Sequence, residues 1–337
     1  MLIFRCMTTL RNKNVLVTGG AGFVGSNLVK TLVEQYDCNV TVLDDLFTGS
    51  EENLSGVAHN FVLGSVEDKL LVDRTVKGMD VVFHLAARNI IVSNNNPRED
   101  LNVNVGGSFN MFEACLTHNV RRVVYTSTSS IYGNSQALPI REGNPKSFLN
   151  FYSAGKYSAE VYARTFYEVF GLPVSIVRYS NVYGTNQSPT NPYCGVIGKF
   201  IEAALTGQPL KVHGDGEQTR DYTYIDDAIN ATIAAAIYPL AVGQDYNIGT
   251  GTETSVKELA ELVISVTGSN SRISHVENRD IDNIRRRCID INKAMNELHY
   301  IPSYSVDQGL KATVNWFLQS ISKTATGIFT VANLFVA

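Results

Sequence analysis

Three things are scarce in this chain of 337 residues, and each scarcity closes off a class of protein. Cysteine is thin and dispersed: Cys6, Cys38, Cys115, Cys194 and Cys288 are five in number, with no C-x-x-C spacing among them. Such a set builds neither a disulfide framework nor a zinc site, and it reads as reduced thiols in a cytoplasmic protein with no metal. Charge of one sign is also scarce. The net charge is −4 with 18% charged residues, so no strong field draws the chain to nucleic acid or to an anionic membrane. Long apolar runs are missing too: nowhere do the ~18 uninterrupted apolar residues of a spanning helix occur. Met1–Met7 has a short apolar run without a signal-peptide core or cleavage site. It reads as an extension before the first strand. The apolar end, Ile328–Ala337, reads as a strand or packed tail at a subunit contact. Internal repeats and low-complexity tracts are absent as well.

What is present is a rhythm. Apolar, β-branched runs at Asn14–Thr18, Val40–Asp44, Phe61–Leu63, Val81–Leu85, Val123–Ser127 and Val174–Tyr179 alternate with amphipathic stretches. Helices are expected over Gly22–Tyr36, Glu67–Val76, Asp100–His118 and Tyr152–Phe170. Strands apolar nearly throughout, separated by helices, predict an α/β fold with a doubly wound parallel sheet covered on both faces. After Tyr179 the rhythm breaks. A long polar loop, Tyr183–Gly195, leads to a helix at Gly195–Thr206, a strand at Leu210–His213 and a polar turn at Gly214–Asp221. Helices at Asp226–Tyr238, Ser255–Thr267 and Val306–Ser320 follow. The reading is a Rossmann domain over 12–180, to which part of the later chain is free to return. A smaller mixed α/β substrate domain spans 181–325, with terminal extensions at 1–11 and 326–337.

The first strand runs into Thr18-Gly19-Gly20-Ala21-Gly22-Phe23-Val24-Gly25, a glycine turn that opens a helix. Gly19 permits the turn, Gly22 lets a pyrophosphate approach the backbone, and Gly25 allows close helix–strand contact. The helix N-terminus then offers free N–H groups to phosphates. Asp44 lies nineteen residues beyond Gly25 at the end of the next strand. An acid there accepts hydrogen bonds from ribose hydroxyls and repels a 2′-phosphate, which argues for NAD over NADP. Asp45 is a second candidate.

Tyr152 and Lys156 stand four apart on a predicted helix, which puts phenol and ammonium on one face, roughly 5–6 Å apart at Cβ. A free tyrosine titrates near ~10. A fixed cation beside it favours the phenolate, so the pair is suited to accept a proton from an alcohol undergoing oxidation.

These motifs, with His84-Leu85-Ala86-Ala87, Asn104-Val105-Gly106-Gly107, Thr126-Ser127-Thr128-Ser129-Ser130-Ile131-Tyr132-Gly133, Arg178-Tyr179-Ser180-Asn181-Val182-Tyr183-Gly184, Arg220-Asp221-Tyr222 and Tyr246-Asn247-Ile248-Gly249, resemble in order and spacing the extended short-chain dehydrogenase/reductases of the nucleotide-sugar epimerase/dehydratase family. The resemblance implies several roles. Thr128 would hydrogen-bond the reacting sugar hydroxyl, with Ser129 as the alternative, and Lys156 would also hold the nicotinamide ribose. Gly19, Gly22, Phe23, Val24, Asp44 and Ala86 would contact NAD. Asn181, Arg220 and Arg285 would hold the sugar diphosphate. His213 stands where relatives often stack an aromatic on uracil, or else simply closes a short strand. His84 and Asn104 read as structural.

Three departures from the family pattern bear on function. Ser65 replaces the usual Asp. Ser129 and Ser130 stand where dehydratases carry Asp-Glu and uronate decarboxylases a Glu. Arg287, in the run Arg285-Arg286-Arg287, falls where 4-epimerases gate the substituents of the sugar. It is either part of a solvated charge run or a partner for a uronate carboxylate. The resemblance therefore implies an NAD-dependent 4-epimerase of a UDP-hexose or UDP-hexuronic acid, and a homodimer formed by the helices Asp100–His118 and Tyr152–Phe170. UDP-glucuronate decarboxylation, 4,6-dehydration and a non-catalytic dinucleotide-binding role are the rivals.

Overall fold

A computed structural model of the chain describes residues 9–187, 195–278 and 284–328. The tail beyond 328 lies outside the described residues, as does most of the expected N-terminal extension. In the first part, strands and helices follow as β1 (Asn14–Thr18), α1 (Phe23–Tyr36), β2 (Asn39–Asp44), β3 (Asn60–Leu63), α2 (Lys69–Val76), β4 (Val81–His84), α3 (Ile90–Asn95), α4 (Pro97–Asp100), α5 (Ser108–Thr117), β5 (Arg122–Thr128), α6 (Phe151–Phe170) and β6 (Val174–Tyr179). Then come β7 (Asn181–Tyr183), α7 (Val196–Leu205), β8 (Leu210–His213), β9 (Thr219–Arg220), β10 (Tyr222–Tyr224) and α8 (Ile225–Ile237). Last are β11 (Asp245–Ile248), β12 (Thr254–Ser255), α9 (Val256–Thr267), β13 (Ile273–Val276), α10 (Asn292–Leu298) and α11 (Val306–Ile328).

Seven strands form one sheet in the order β11–β6–β5–β4–β1–β2–β3, each neighbouring pair parallel. The two-residue period of a strand sends alternate side chains to opposite faces. Val15, Val17, Val81, Phe83 and Val124 accordingly join the core under α1 and α8. Leu16, Val82, Val123 and Tyr125 join the core under α2, α5 and α6. Burying each such side chain is worth roughly 1.5–3 kcal/mol. From β1 the chain winds outward through β2 and β3, then crosses back to β4, so β1 is flanked by strands reached in opposite directions. That reversal opens a crevice at the carboxyl ends of β1 and β4.

The later segment is not self-contained. It sends β11 back to the edge of the sheet beside β6. There Arg178, 1% exposed, grips Glu160 of α6 and lies 2.5 Å from Asp245 of β11. Arg164 of α6 also pairs with Asp245. The remaining strands pair in twos: β7 with β10, β9 with β12, and β8 with β13.

The helix expected at Asp100–His118 is broken into parts. Leu101–Gly107 winds more widely, in π-helical turns, between α4 and α5. Here a Cβ on Gly107 would come within 2.4 Å of Val66 Cγ2, so the wide turns run close against the segment after β3. Among the described residues no helix is long and apolar enough to cross a membrane, and no group of three or more His, Cys, Asp or Glu is placed to hold a metal ion.

Candidate active site

The glycine turn is built for close approach. Gly19 adopts φ +68°, and a Cβ there would lie 2.8 Å from the Ala86 amide nitrogen. A Cβ on Gly25 would lie 2.1 Å from the Gly19 carbonyl oxygen, so the start of α1 can be no larger. Gly22 caps α1 without a side chain, and the first turn carries no acid, which leaves its N–H groups and positive dipole end available to an anion. Asp44 ends β2, buried. One carboxylate oxygen accepts the Ala21 amide at 2.9 Å and the other the Leu46 amide at 2.8 Å. Burial raises its pKa, against the pull of those amides and of Arg88. Each oxygen still has a lone pair to offer a ribose hydroxyl. Gly22, Phe23, Val24, Asp44, Ser65 and Ala86 line one cleft of about 220 Å³. These residues fit a dinucleotide with an unphosphorylated ribose.

Next to that cleft stands α6, capped by Asn150, whose side chain accepts the Ser153 amide at 2.8 Å. Tyr152 lies in its first turn and Lys156 one turn later, 3% exposed, with Nζ 4.3 Å from the centre of the Tyr125 ring. The Tyr152 hydroxyl lies beside Thr128, the last residue of β5. Thr128 Oγ1 already accepts the Ser130 amide at 3.1 Å, so its own proton is free to point at the phenol oxygen. In the protein alone, burial pushes the phenol up to about 12, with Thr128 working downward. Burial likewise brings Lys156 down to about 7, against Glu160 and Asp100. The expected lowering of Tyr152 by Lys156 is thus reversed. Removing each group from water penalises its charged form, and burial dominates both shifts.

Behind this pair the buried polar groups form a closed chain. His84 Nδ1 lies 2.7 Å from Thr18 Oγ1 and Nε2 lies 2.9 Å from Ser108 Oγ. Ser108 donates to the Asn104 carbonyl at 2.7 Å, so it must accept from the ring, which places the imidazole proton on Nε2. Burial and Lys156 bring His84 down to about 3 and keep it neutral. Asn104 accepts the Arg88 amide at 2.8 Å and donates to Asp100 at 2.6 Å.

On the other side, Asn181, His213, Arg220 and Arg285 line an open cleft of about 1990 Å³. Arg220, at the end of β9, donates to the Thr219 and Ile284 carbonyls at 2.8 Å. Arg285 is exposed and held by Asp215 at 2.8 Å. His213 closes β8, with Nδ1 2.7 Å from the Glu277 carbonyl. The arginine run diverges: Arg286 faces outward onto Glu253, whereas Arg287 is 2% exposed, with Nη1 3.5 Å from Ser130 Oγ. Ser129 is buried directly after Thr128.

Two features escaped sequence reasoning. Arg88 lines the dinucleotide cleft, yet nothing local to Ala86-Ala87-Arg88 marks it. Asp100 packs against α6 where Gly155 has no side chain. A glycine inside the Tyr152–Lys156 turn was the available signal, since mid-helix glycine is unfavourable without a packing reason.

A parallel sheet with a glycine turn at its reversal point, and a Tyr–Lys pair beside the resulting crevice, define an extended short-chain dehydrogenase/reductase fold. Residues 15–249 match the NAD dependent epimerase/dehydratase family, and the chain belongs to it. A UDP-glucose 4-epimerase of Mycolicibacterium smegmatis is 36% identical over 310 residues, 90% of this chain and 97% of the relative. A UDP-N-acetyl-alpha-D-glucosaminuronate decarboxylase of Bacillus cytotoxicus is 36% identical over 322 residues, 90% of this chain and 98% of the relative. The crystal structure of a UDP-glucuronic acid 4-epimerase from Bacillus cereus, in complex with UDP-glucuronic acid and NAD, superposes with a TM-score of 0.84. It is 28% identical and covers 91% of this chain and 99% of that one.

Proposed function

We propose that the chain is an NAD-dependent nucleotide-sugar 4-epimerase acting on a UDP-hexose or UDP-hexuronic acid through a transient 4-keto sugar. The observation that carries this reading is the placement of Tyr152 beside Thr128 at the end of β5, with Lys156 buried one helical turn away. Bound NAD supplies a reversible hydride acceptor. Tyr152 takes the 4′-hydroxyl proton and later returns it, oriented by Thr128 and charge-balanced by Lys156. Asn181, Arg220 and Arg285 hold the diphosphate, Arg285 exchanging Asp215 for a phosphate in a geometry suited to two parallel donors. His213 faces the nucleobase. The open cleft leaves a tethered sugar room to turn over and present its opposite face.

Ser129 and Ser130 supply no carboxylate, which disfavours dehydration and decarboxylation as the outcome. Arg287, buried against Ser130, supports a carboxylate at C6 of the sugar over a hydroxymethyl group. The free thiols of Cys38, Cys115 and Cys288 support a reducing, cytoplasmic setting. Phe109 of α5 and Val161, Tyr162, Val169 and Phe170 of α6 are exposed apolar side chains that support a homodimer through these helices. A proton NMR time course with UDP-glucuronate and no added cofactor tests the reading. UDP-galacturonate is the expected product. A pentose product would replace epimerisation with decarboxylation, and inertness toward UDP-glucuronate, UDP-glucose and UDP-N-acetylglucosamine alike would refute the proposal.

A further inference from the structure

Arg88 leaves β4 at the carboxyl end of the sheet and reaches across the dinucleotide cleft. Its Nη2 donates to Asp45 at 2.7 Å and its Nε to Glu99 of α4 at 2.8 Å. The guanidinium also lies 4.2 Å from the centre of the Phe47 ring. Asp45 and Phe47 belong to the loop after β2, the strand that ends in Asp44. Since β2 and β4 pair with β1 from opposite sides, the bridge from Arg88 to Asp45 passes over the end of β1, where the glycine turn begins. The contact therefore joins the loops that follow two strands lying on either side of β1.

The base of the span is fixed. The Arg88 N–H and C=O are both bonded to the Asn104 side chain, at 2.8 and 3.1 Å. Asn104 holds Asp100, whose carboxylate sits where a Gly155 side chain would be, beside Lys156. The far end is looser. The side chain of Asp45 is 27% exposed and that of Glu99 28%, against 9% for Arg88. One end is thus held by Asn104, which is itself bonded to Asp100 packed against α6, and the other can let go at the rim.

We propose that Arg88 is a clasp: by joining the β4 loop to the Asp45–Phe47 loop it closes the dinucleotide cleft and sets how firmly NAD is retained. This rests on the assignment of that cleft to NAD. An enzyme that regenerates its cofactor at each turnover gains from slow release, and a partly buried, hydrogen-bonded charge pair that closes the cleft acts chiefly on the dissociation rate.

The test is the rate at which purified protein loses NAD, followed by nicotinamide absorbance or mass spectrometry after rapid removal of free cofactor. Parent, Arg88→Gln, Asp45→Asn and the double variant form a cycle. Both single variants should release NAD roughly tenfold or more faster, and the double variant no faster than the quicker single one, because either change opens the same clasp. A structural role for Arg88 alone would lower the unfolding midpoint without this shared kinetic effect. Unchanged release in Arg88→Gln, or effects that simply multiply in the double variant, would overturn the clasp while leaving the NAD assignment intact. A parent protein with no affinity for NAD would overturn both. Phe47→Ala provides a variant that keeps all charges, and it should release NAD faster than the parent by a smaller factor.

Discussion

Replacing Gly155 by alanine sets two rules against each other, and the structure decides between them. Gly155 stands in the turn between Tyr152 and Lys156 on α6, where helix propensity alone favours alanine by ~1 kcal/mol. A methyl there would meet Asp100 Oδ2 at 2.1 Å and Cγ at 3.0 Å. Asp100 cannot swing aside cheaply, being 4% exposed and bonded to Asn104 at 2.6 Å. Overpacking of this kind costs ~1–3 kcal/mol, and giving up a hydrogen bond to a buried charged group ~1.5–3 kcal/mol. The net expectation is a loss of roughly 2–4 kcal/mol, opposite in sign to the propensity rule. Urea midpoints of parent and Gly155→Ala measure it, with Asp100→Ala and the double variant completing a cycle. The Asp100→Ala change should cost less in the alanine background, where it relieves the clash. A Gly155→Ala protein as stable as the parent would refute the packing argument, because it would mean that Asp100 is free to move.

Tyr152→Phe should keep the fold and bound NAD yet lose epimerisation by roughly 10²–10⁴-fold, and near-parental turnover would remove Tyr152 from the mechanism. His84 titrates at about 3 in the folded protein against ~6.5 when unfolded. The unfolded chain therefore takes up this proton first on acidification, so stability is lost as pH falls below the unfolded value and on toward about 3. In His84→Gln that part of the slope should be smaller in denaturation midpoints measured between neutral and acid pH. Arg287→Met should raise KM for UDP-glucuronate by roughly 10–100-fold and leave KM for UDP-glucose nearly unchanged. Equal losses on both sugars would assign Arg287 to the frame of the site and not to the carboxylate.

How much of this was legible in the sequence depends on where each element gets its instructions. Asn14–Thr18, Val174–Tyr179 and Leu210–His213 were read to the residue because apolar content or strand-end polarity is written locally. The helix read as Tyr152–Phe170 from its helix formers and apolar periodicity was nearly as plain, and the structure starts it one residue earlier, at Phe151 after the Asn150 cap. β11 was not, since Asp245 and Asn247 give it no apolar signature. It is a strand because Asp245 meets two arginines and Asn247 accepts the Tyr132 hydroxyl at 2.7 Å. The π-helical turns at Leu101–Gly107 likewise follow from partners distant in sequence. In the site, residue types and spacing marked Tyr152, Lys156 and Asp44, but the sign of the tyrosine shift needed burial, which spacing alone does not encode. Arg88 was invisible because its carboxylate partners lie 43 and 11 residues away.

The return of β11 has a consequence for anyone who would cut or recombine this protein. A fragment ending near residue 180 would carry β6 as a bare edge and Arg178 with one of its carboxylates gone. Unpaired strand edges template association, and a buried cation stripped of a partner destabilises what remains. The fragment should precipitate where the whole chain stays in solution. Grafting a foreign sugar-binding half onto this sheet should succeed only when the graft brings its own seventh strand, with an acid in the place of Asp245. The inheritable unit is the whole sheet, and the boundary along the chain is not a seam.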